Sequence, residues 1–396
     1  MPTKVLDFEL PQVPERLPGL AGYTSAFVLL RWEGRPVAAA VVPLHKGTFK
    51  KADLRERMST GLGDDLRACW LSILFSPSSC KQRPGRADVT IAVCTRNRAD
   101  DLRKCLESLL SLPDEGQEIL VVDNCPANDA SERVVRCFPA VKYVREDRLG
   151  LNRARNRALR EARGEIVAFI DDDAVADKNW LRALTDAFAA PLTICVTGLT
   201  LPIELETEAQ EAFELIGAYG RGFRRKRFSI ETISPAGGGA AGAGVNMAFR
   251  RDVIEKAGCF DEALDAGTAT HSGGDTEMLC RVIGAGYEVI YEPAALNWHR
   301  HRRARAELIQ AVFGYGVGLY AAWTRCFWVG KERDVLGTAW SWFFKVRLRC
   351  AIHAVWHRSG AYPRDLAWAE LKGSLWGPIA YGKARRELAR DNAQKE

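Results

Sequence analysis

At 396 residues the chain is too long for one ordinary core, and at about 150 residues per domain it divides into two or three units. Hydrophobic residues at 47% and charged residues at 27% exclude a disordered chain. The net charge of +6 is unevenly spread, because residues 300–396 carry 18 Lys and Arg against 8 Asp and Glu, while residues 1–299 carry 38 against 42. Eleven cysteines are scattered without a Cys-x-x-Cys pair, which favours reduced, buried thiols over disulfides or a zinc site. The first twenty residues are broken by acids and prolines and lack the pattern of a secretory signal, so a cytoplasmic protein is expected.

The first elements in the chain are two apolar runs, "SAFVLLRWEGRPVAAAVVPL" (25–44), around a turn at Glu33-Gly34-Arg35-Pro36, which read as a β-hairpin. A helical stretch, "KADLRERMSTGLGDDLRACWLSILF" (51–75), follows. Residues 1–85 thus read as a small α+β module in which nothing points to chemistry, and "SPSSCKQRPGRAD" (76–88) has the composition of a linker.

From residue 88 the rhythm becomes strand, turn, helix. The strands are "VTIAVCT" (89–95), "EILVVDN" (118–124), "VKYVRED" (141–147) and "EIVAFI" (165–170), with helices at 96–112 and 151–163 between them. This alternation predicts βαβ crossovers and a mostly parallel sheet, in which ligands collect at the carboxyl ends of the strands. Thr95, Arg96, Asp123, Asn124, Glu146, Asp147 and the run Asp171-Asp172-Asp173 would share that rim. Three adjacent carboxylates repel one another, and a divalent cation held through hard oxygens would offset that repulsion. Asp123 could accept a hydrogen bond from a base N–H, and Arg153 could reach a base or a phosphate.

Further along, "SPAGGGAAGAGVNMAFRR" (234–251) is a glycine-rich loop running into a strand. It lacks the Lys-Ser/Thr pair of a phosphate-binding loop. "HSGGDTEMLCRVIGAGYEVIYEP" (271–293) opens a helix whose first turn carries Asp275 and Glu277, and "NWHRHRRAR" supplies His299 and His301 after the next strand. In the last quarter, "ELIQAVFGYGVGLYAAWTRCFWVG" is interrupted by Gln310, Thr324 and Arg325, which weakens a membrane-spanning reading. "WSWFFKVRLRCAIHAVWHR" mixes Trp and Phe with Lys345, Arg347 and Arg349, the pattern of a helix lying in a membrane interface.

The ordered segments "VTIAVCTRNR", "EILVVDNCPAND", "GLNRARNRALREARGEIVAFIDDDA", "GAGVNMAFRRDVIEKAGCFDEAL" and "GGDTEMLCRVIGAGYEVIYEPAALNWH", across roughly residues 88–300, resemble glycosyltransferase family 2. The resemblance implies a Rossmann-like A-type α/β domain at 88–303, between the N-terminal α+β module and a helical, basic, Trp-rich region at 304–396. It implies an inverting enzyme that moves a sugar from a nucleoside-diphosphate sugar to a hydroxyl acceptor, a polysaccharide or lipid-linked glycan, with Mg²⁺ or Mn²⁺.

By the same resemblance Thr95, Arg96, Asp123 and Arg153 help hold the nucleotide. Asp171 and Asp173 are the outer members of a D-x-D motif, Asp171 toward the nucleotide and Asp173 toward the metal. Asp172, also on the nucleotide side, serves as a spacer that caps or orients the turn. His299, with His301 as the alternative, completes the metal site, and Asp275 is the general base. The acceptor side would include Gly244, Asn246, Gly274 and Glu277. Where the family has Glu-Asp this chain has Gly274-Asp275, so a neighbouring carboxylate is missing. The basic tail would hold the enzyme at the inner face of the membrane, with no nucleic-acid partner. The competing reading is a catalytically silent scaffold of a membrane-associated glycan assembly.

Overall fold

A computed structural model describes residues 2–61, 88–217, 219–356 and 362–393. The N-terminal strands are β1 (Thr3–Glu9), β2 (Arg16–Leu17), β3 (Ser25–Trp32), β4 (Arg35–Pro43) and β5 (Phe49–Lys50), followed by helix α1 (Lys51–Gly61). The hairpin forms as expected, with β3 and β4 antiparallel and β1 added parallel to β3. The rest of the expected helix at 51–75, and the linker up to residue 87, lie outside the described residues.

The central sheet begins with β6 (Val89–Thr95), helix α2 (Ala99–Leu110), β7 (Glu118–Asn124), α3 (Ala130–Arg136), β8 (Val141–Glu146), α4 (Leu151–Glu161) and β9 (Ile166–Asp171). It continues with β10 (Ala174–Ala176), α5 (Trp180–Asp186), β11 (Thr193–Pro202), α6 (Glu208–Leu215), β12 (Lys226–Phe228), β13 (Asn246–Arg250), α7 (Val253–Lys256), α8 (Gly274–Gly284) and β14 (Glu288–His299). The strand order is β10-β14-β11-β13-β9-β6-β7-β8, with β12 on β14. One half, β9-β6-β7-β8, is parallel as the alternation predicts. The other half is mixed, because β13 runs antiparallel to both β9 and β11.

The alternation of side chains across each strand builds two cores. Ile91, Val93, Val121, Ile166 and Ala168 face α2, α3 and α5, while Ala92, Leu120, Val122, Val167 and Phe169 face α4 and α8. Strands buried on both faces read as unbroken apolar runs, which is why they are legible in the sequence.

The N-terminal sheet is packed onto this frame. Phe27 and Leu29 of β3 share an apolar cluster with Leu199, Leu201, Tyr291 and Leu296 of β11 and β14. A buried ion pair joins the same two parts, with Arg31 Nη2 2.6 Å from Asp177 Oδ2 while Arg31 Nε is 2.8 Å from Asp7 Oδ1. Asp177 directly follows β10, which leaves the acidic run, so the N-terminal sheet braces the segment that carries it.

The C-terminal region is helical: α9 (Arg305–Trp328), α10 (Asp334–Trp342), a π-helical stretch (Phe343–Leu348), α11 (Arg349–Trp356) and α12 (Arg364–Ala393). No described helix is long and apolar enough to cross a membrane. The glycines of α9 allow close packing. A Cβ at Gly316 would stand 2.3 Å from the Glu370 carbonyl on α12, and one at Gly318 would stand 2.0 Å from Ser272 Oγ.

Replacing Arg31 by Met should destabilise the chain by about 3–5 kcal/mol, because it leaves Asp177 buried without its partner. Chemical denaturation of the two proteins side by side measures this, and an unchanged midpoint would contradict the bracing role.

Candidate active site

Parallel registry brings the strand ends together, pairing Thr95 with Asp123 and Cys94 with Asp171. The acidic run sits in the tight turn from β9 into β10, and the last residue of β14, His299, pairs with Ala174 of β10. That antiparallel pairing delivers His299 Nε2 to 3.1 Å from Asp173 Oδ1. Side-chain ligand atoms of Asp171, Asp173 and His299 all lie within 4.8 Å of one another.

The three acids are held differently. Asp172 turns away from the rim, accepting a 2.8 Å hydrogen bond from the Thr95 hydroxyl and pairing with Arg98 Nη1 at 3.1 Å. Asp173 Oδ2 shares the same Arg98 nitrogen at 2.9 Å. Burial pushes the Asp171 carboxyl up to about 6, with the neighbouring Asp173 charge adding to it and Arg155 and His299 opposing. Asp172 is likewise raised to about 6 by burial, against the pull of Arg98. Burial also opposes the charge on Asp173, but His299, Arg98 and Arg302 together outweigh it and hold that carboxyl below its usual range.

Two carboxylates and an imidazole form a donor set that suits a divalent cation.

Asp275, in the first turn of α8, does not cap that helix, whose N-cap is Gly273. Its Oδ2 instead accepts a 2.6 Å hydrogen bond from the Gly244 N–H, and its Oδ1 one of 2.7 Å from the Thr276 N–H. Gly244 is required, since a Cβ there would stand 2.5 Å from Arg155 Nη2 and 3.2 Å from Asp275 Oδ2. Gly274 is equally constrained, its Cβ position lying 2.2 Å from Asn152 Nδ2 and 2.6 Å from Asp265 Oδ2. The carboxylate missing at 274 is thus replaced in space by that of Asp265, which Arg155 Nη1 binds at 2.6 Å.

Arg155 and Arg98 are the residues that sequence reasoning missed. Arg155 is buried, and its charge is favoured by Asp265, Asp275 and Asp171 together, which outweigh the cost of its burial. Arg153, two residues earlier on α4, points elsewhere and pairs with Glu262 and Asp391 at 3.2 Å each. The signal that could have separated the two is helical phase, which puts residues two apart on different faces.

Other sequence expectations meet the structure unevenly. Asp123 is fully buried, its Oδ2 receiving the Tyr143 hydroxyl at 3.0 Å, and its Oδ1 has no hydrogen-bond partner among the described residues. Arg96 is exposed on the rim, with Nε 3.4 Å from the Cys125 carbonyl. Thr95 spends its hydroxyl on Asp172. Asn246 is 1% exposed and fully engaged, donating to the Leu199 and Ala295 carbonyls and accepting from Trp180 Nε1. Glu277 is 0% exposed and pairs with Arg281 and Arg325, tying α8 to α9. Neither side chain faces an open site. The glycine-rich loop forms a 3₁₀ turn (Pro235–Ala241) whose Gly238 lies against Cys280 of α8, so that glycine serves packing.

A mixed sheet with a parallel half and an acidic turn at its carboxyl edge is the arrangement of the A-type glycosyltransferases. Residues 90–258 match the sequence model of glycosyl transferase family 2. That segment, less than half of the chain, is what is similar to the family. Similar curated proteins include the pre-mycofactocin glycosyltransferase of Mycobacterium tuberculosis, 29% identical over 238 residues, which are 59% of this chain and 47% of that protein. The chain thus spans about half the length of that relative. The glucosyl-dolichyl phosphate glucuronosyltransferase of Haloferax volcanii is 26% identical over 262 residues, 63% of this chain and 77% of that one. Among solved structures, the mannosyltransferase PcManGT of Pyrobaculum calidifontis, in complex with GDP-Man and Mn²⁺, aligns with a TM-score of 0.46 and 19% identity, covering 84% and 83% of the two chains.

The raised acids have a consequence for stability. Asp172 holds a proton in the folded chain up to about pH 6, whereas its ordinary value is 3.8. Its contribution is therefore full below the ordinary value and is lost as pH rises through about 6. In EDTA, the melting temperature of the wild type should fall more steeply between pH 4.5 and 7 than that of Asp172→Asn, and parallel profiles would contradict this assignment.

Proposed function

We propose that the chain is an inverting, metal-dependent glycosyltransferase that moves a sugar from a nucleoside-diphosphate sugar to a hydroxyl acceptor. The observation that carries this reading is that the buried Arg155 lies within electrostatic reach of both Asp275 and Asp171, the latter a member of the Asp171–Asp173–His299 group. That group suits a diphosphate bridged by a cation, and Asp275 suits proton removal.

The acceptor oxygen attacks the anomeric carbon from the face opposite the leaving diphosphate. A new C–O bond forms as the bond to the diphosphate breaks, and the acceptor proton passes to Asp275. The Gly244 and Thr276 N–H groups fix the orientation of that carboxylate. Asp171, Asp173 and His299 would hold Mg²⁺ or Mn²⁺, which supplies positive charge for the departing diphosphate. The unpartnered Asp123 Oδ1 accepts a base N–H, and exposed Arg96 lies on the same rim for a phosphate. Thr95 and Asp172 support the turn beneath them. No covalent sugar intermediate is needed, so no nucleophilic Ser or Cys is assigned.

The region 304–396 supports contact with an anionic membrane surface at the cytoplasmic face, which would bring a lipid-linked acceptor to the site. Leu336, Trp340 and Phe344, spaced four residues apart, are 51%, 70% and 42% exposed. Trp368, Leu375, Trp376 and Ile379 form a second exposed stripe on α12. Lys345, Arg349, Lys372 and Lys383 are exposed beside these residues. Apolar side chains flanked by basic ones match the depth and charge of a lipid headgroup layer.

Release of nucleoside diphosphate from a panel of nucleotide sugars with Mn²⁺ tests the activity. Asp275→Asn should lower turnover by about 10²- to 10⁴-fold with nucleotide affinity unchanged. Full activity in that variant would refute the base, and no turnover or nucleotide binding by the wild type would favour the silent scaffold. In a separate assay, the chain should sediment with vesicles containing phosphatidylserine, less so at high salt, and Trp340→Ser with Phe344→Ser should weaken this. Binding to single-stranded nucleic acid in place of vesicles would overturn the membrane reading.

A further inference from the structure

Behind His299 stands a chain of buried contacts that the transfer chemistry does not use. His299 Nδ1 lies 3.0 Å from His301 Nδ1, and His301 Nε2 lies 2.7 Å from Glu214 Oε1 on α6. The His301 side chain is 1% exposed and that of His299 7%. Phe213 packs edge-on against His301 with ring centroids 4.7 Å apart, and Tyr219 packs edge-on against His299 at 5.1 Å.

We propose that Glu214 and His301 are positioning residues that hold the His299 ring through its Nδ1, so that Nε2 is directed at the position where Asp171, Asp173 and His299 would bind a divalent cation. A carboxylate only accepts, so His301 must donate Nε2–H to Glu214. Two ring nitrogens at 3.0 Å need one proton and one lone pair between them. With Nδ1 engaged by His301, the nitrogen that His299 can offer a cation is Nε2, the atom 3.1 Å from Asp173 Oδ1. Ligating histidines are commonly fixed in this way through the nitrogen remote from the metal. Here the fixing group is a second histidine, anchored in turn by a carboxylate from a different element.

The chain of contacts also links the site to α6. That helix is secured by a capping box between Thr207 and Gln210, and the Gln210 side chain donates to the His301 carbonyl at 3.3 Å. Glu214 is thus presented from a helix whose start and whose partner strand are tied to each other. Its effect on the site is one of orientation, since it does not touch the cation position itself.

This inference rests on the metal-dependent reading above, and the test separates the two. Circular dichroism of the full-length variants first establishes that each is folded. Titration with Mn²⁺, followed by the electron paramagnetic resonance of the free ion, should then give an affinity about 10- to 100-fold weaker for Glu214→Leu and for His301→Phe. Glu214→Gln keeps a carbonyl acceptor and should restore most of the affinity. A Glu214→Gln variant that binds Mn²⁺ no better than Glu214→Leu would overturn the proposal. Unchanged Mn²⁺ affinity in folded Glu214→Leu would also overturn it. A wild type with no measurable Mn²⁺ affinity would overturn the metal reading itself.

Discussion

Three consecutive carboxylates at the end of a buried strand impose a constraint that the neighbouring elements meet with positive charge from several directions. Arg98 arrives from the turn after β6, His299 from the end of β14, and Arg155 from α4. Each lies far from Asp171–Asp173 in sequence or on another element, so the acidic turn can be tolerated only when the whole sheet edge is assembled. The mixed half of the sheet follows from this requirement. Antiparallel pairing of β10 with β14 is what brings His299 back to Asp173.

A second constraint concerns the placement of α8, which carries Asp275. The helix is fixed by an ion cluster, Glu277 with Arg281 and Arg325, in which the fully buried acid is shared by two guanidinium groups. The loop before it is pressed against α9, where a Cβ at Gly273 would stand 2.3 Å from the Gly318 carbonyl. Glycine faces on α9 and α12 let the C-terminal helices approach closely enough to back the helix that carries Asp275. The apolar, glycine-bearing stretch at 307–330 is therefore explained by tight packing. Apart from Trp328 at its end, the exposed tryptophans of this region, Trp340, Trp342, Trp368 and Trp376, lie on α10 and α12 instead.

The N-terminal sheet takes part in the same framework. Its hairpin buries Phe27 and Leu29 against β11 and β14, and Arg31 reaches Asp177 beyond the acidic turn. The proposed division of the chain at residue 85 follows composition, whereas the packing joins both parts through one apolar cluster and one buried ion pair. Support for the Asp171–Asp173–His299 group thus comes from three regions: β3 behind Asp177, α6 behind His301, and α2 behind Asp172 through the adjoining Arg98.

Periodicity and punctuation made the strands at 89–95, 118–124, 141–146 and 166–171 readable, because burial on both faces demands continuous apolar runs at a spacing that local chemistry sets. The same local logic placed Asp171, Asp173 and Asp123 at one rim, since side chains at the ends of parallel neighbours must share an edge. Which charged residues turn inward was decided only by tertiary structure. Arg153 and Arg155 are chemically alike and two positions apart, and the packing of α4 sends one to Asp391 and the other to Asp265. Asn246 and Glu277 look like site residues by type, but the surrounding strands and helices consume every hydrogen bond or charge they offer. Gly274 reads as a lost carboxylate until the fold brings Asp265 into its place. Sequence alone determines the periodic elements and the class of chemistry at their ends. The partners of each charge depend on contacts between residues remote in the chain, which no local pattern encodes.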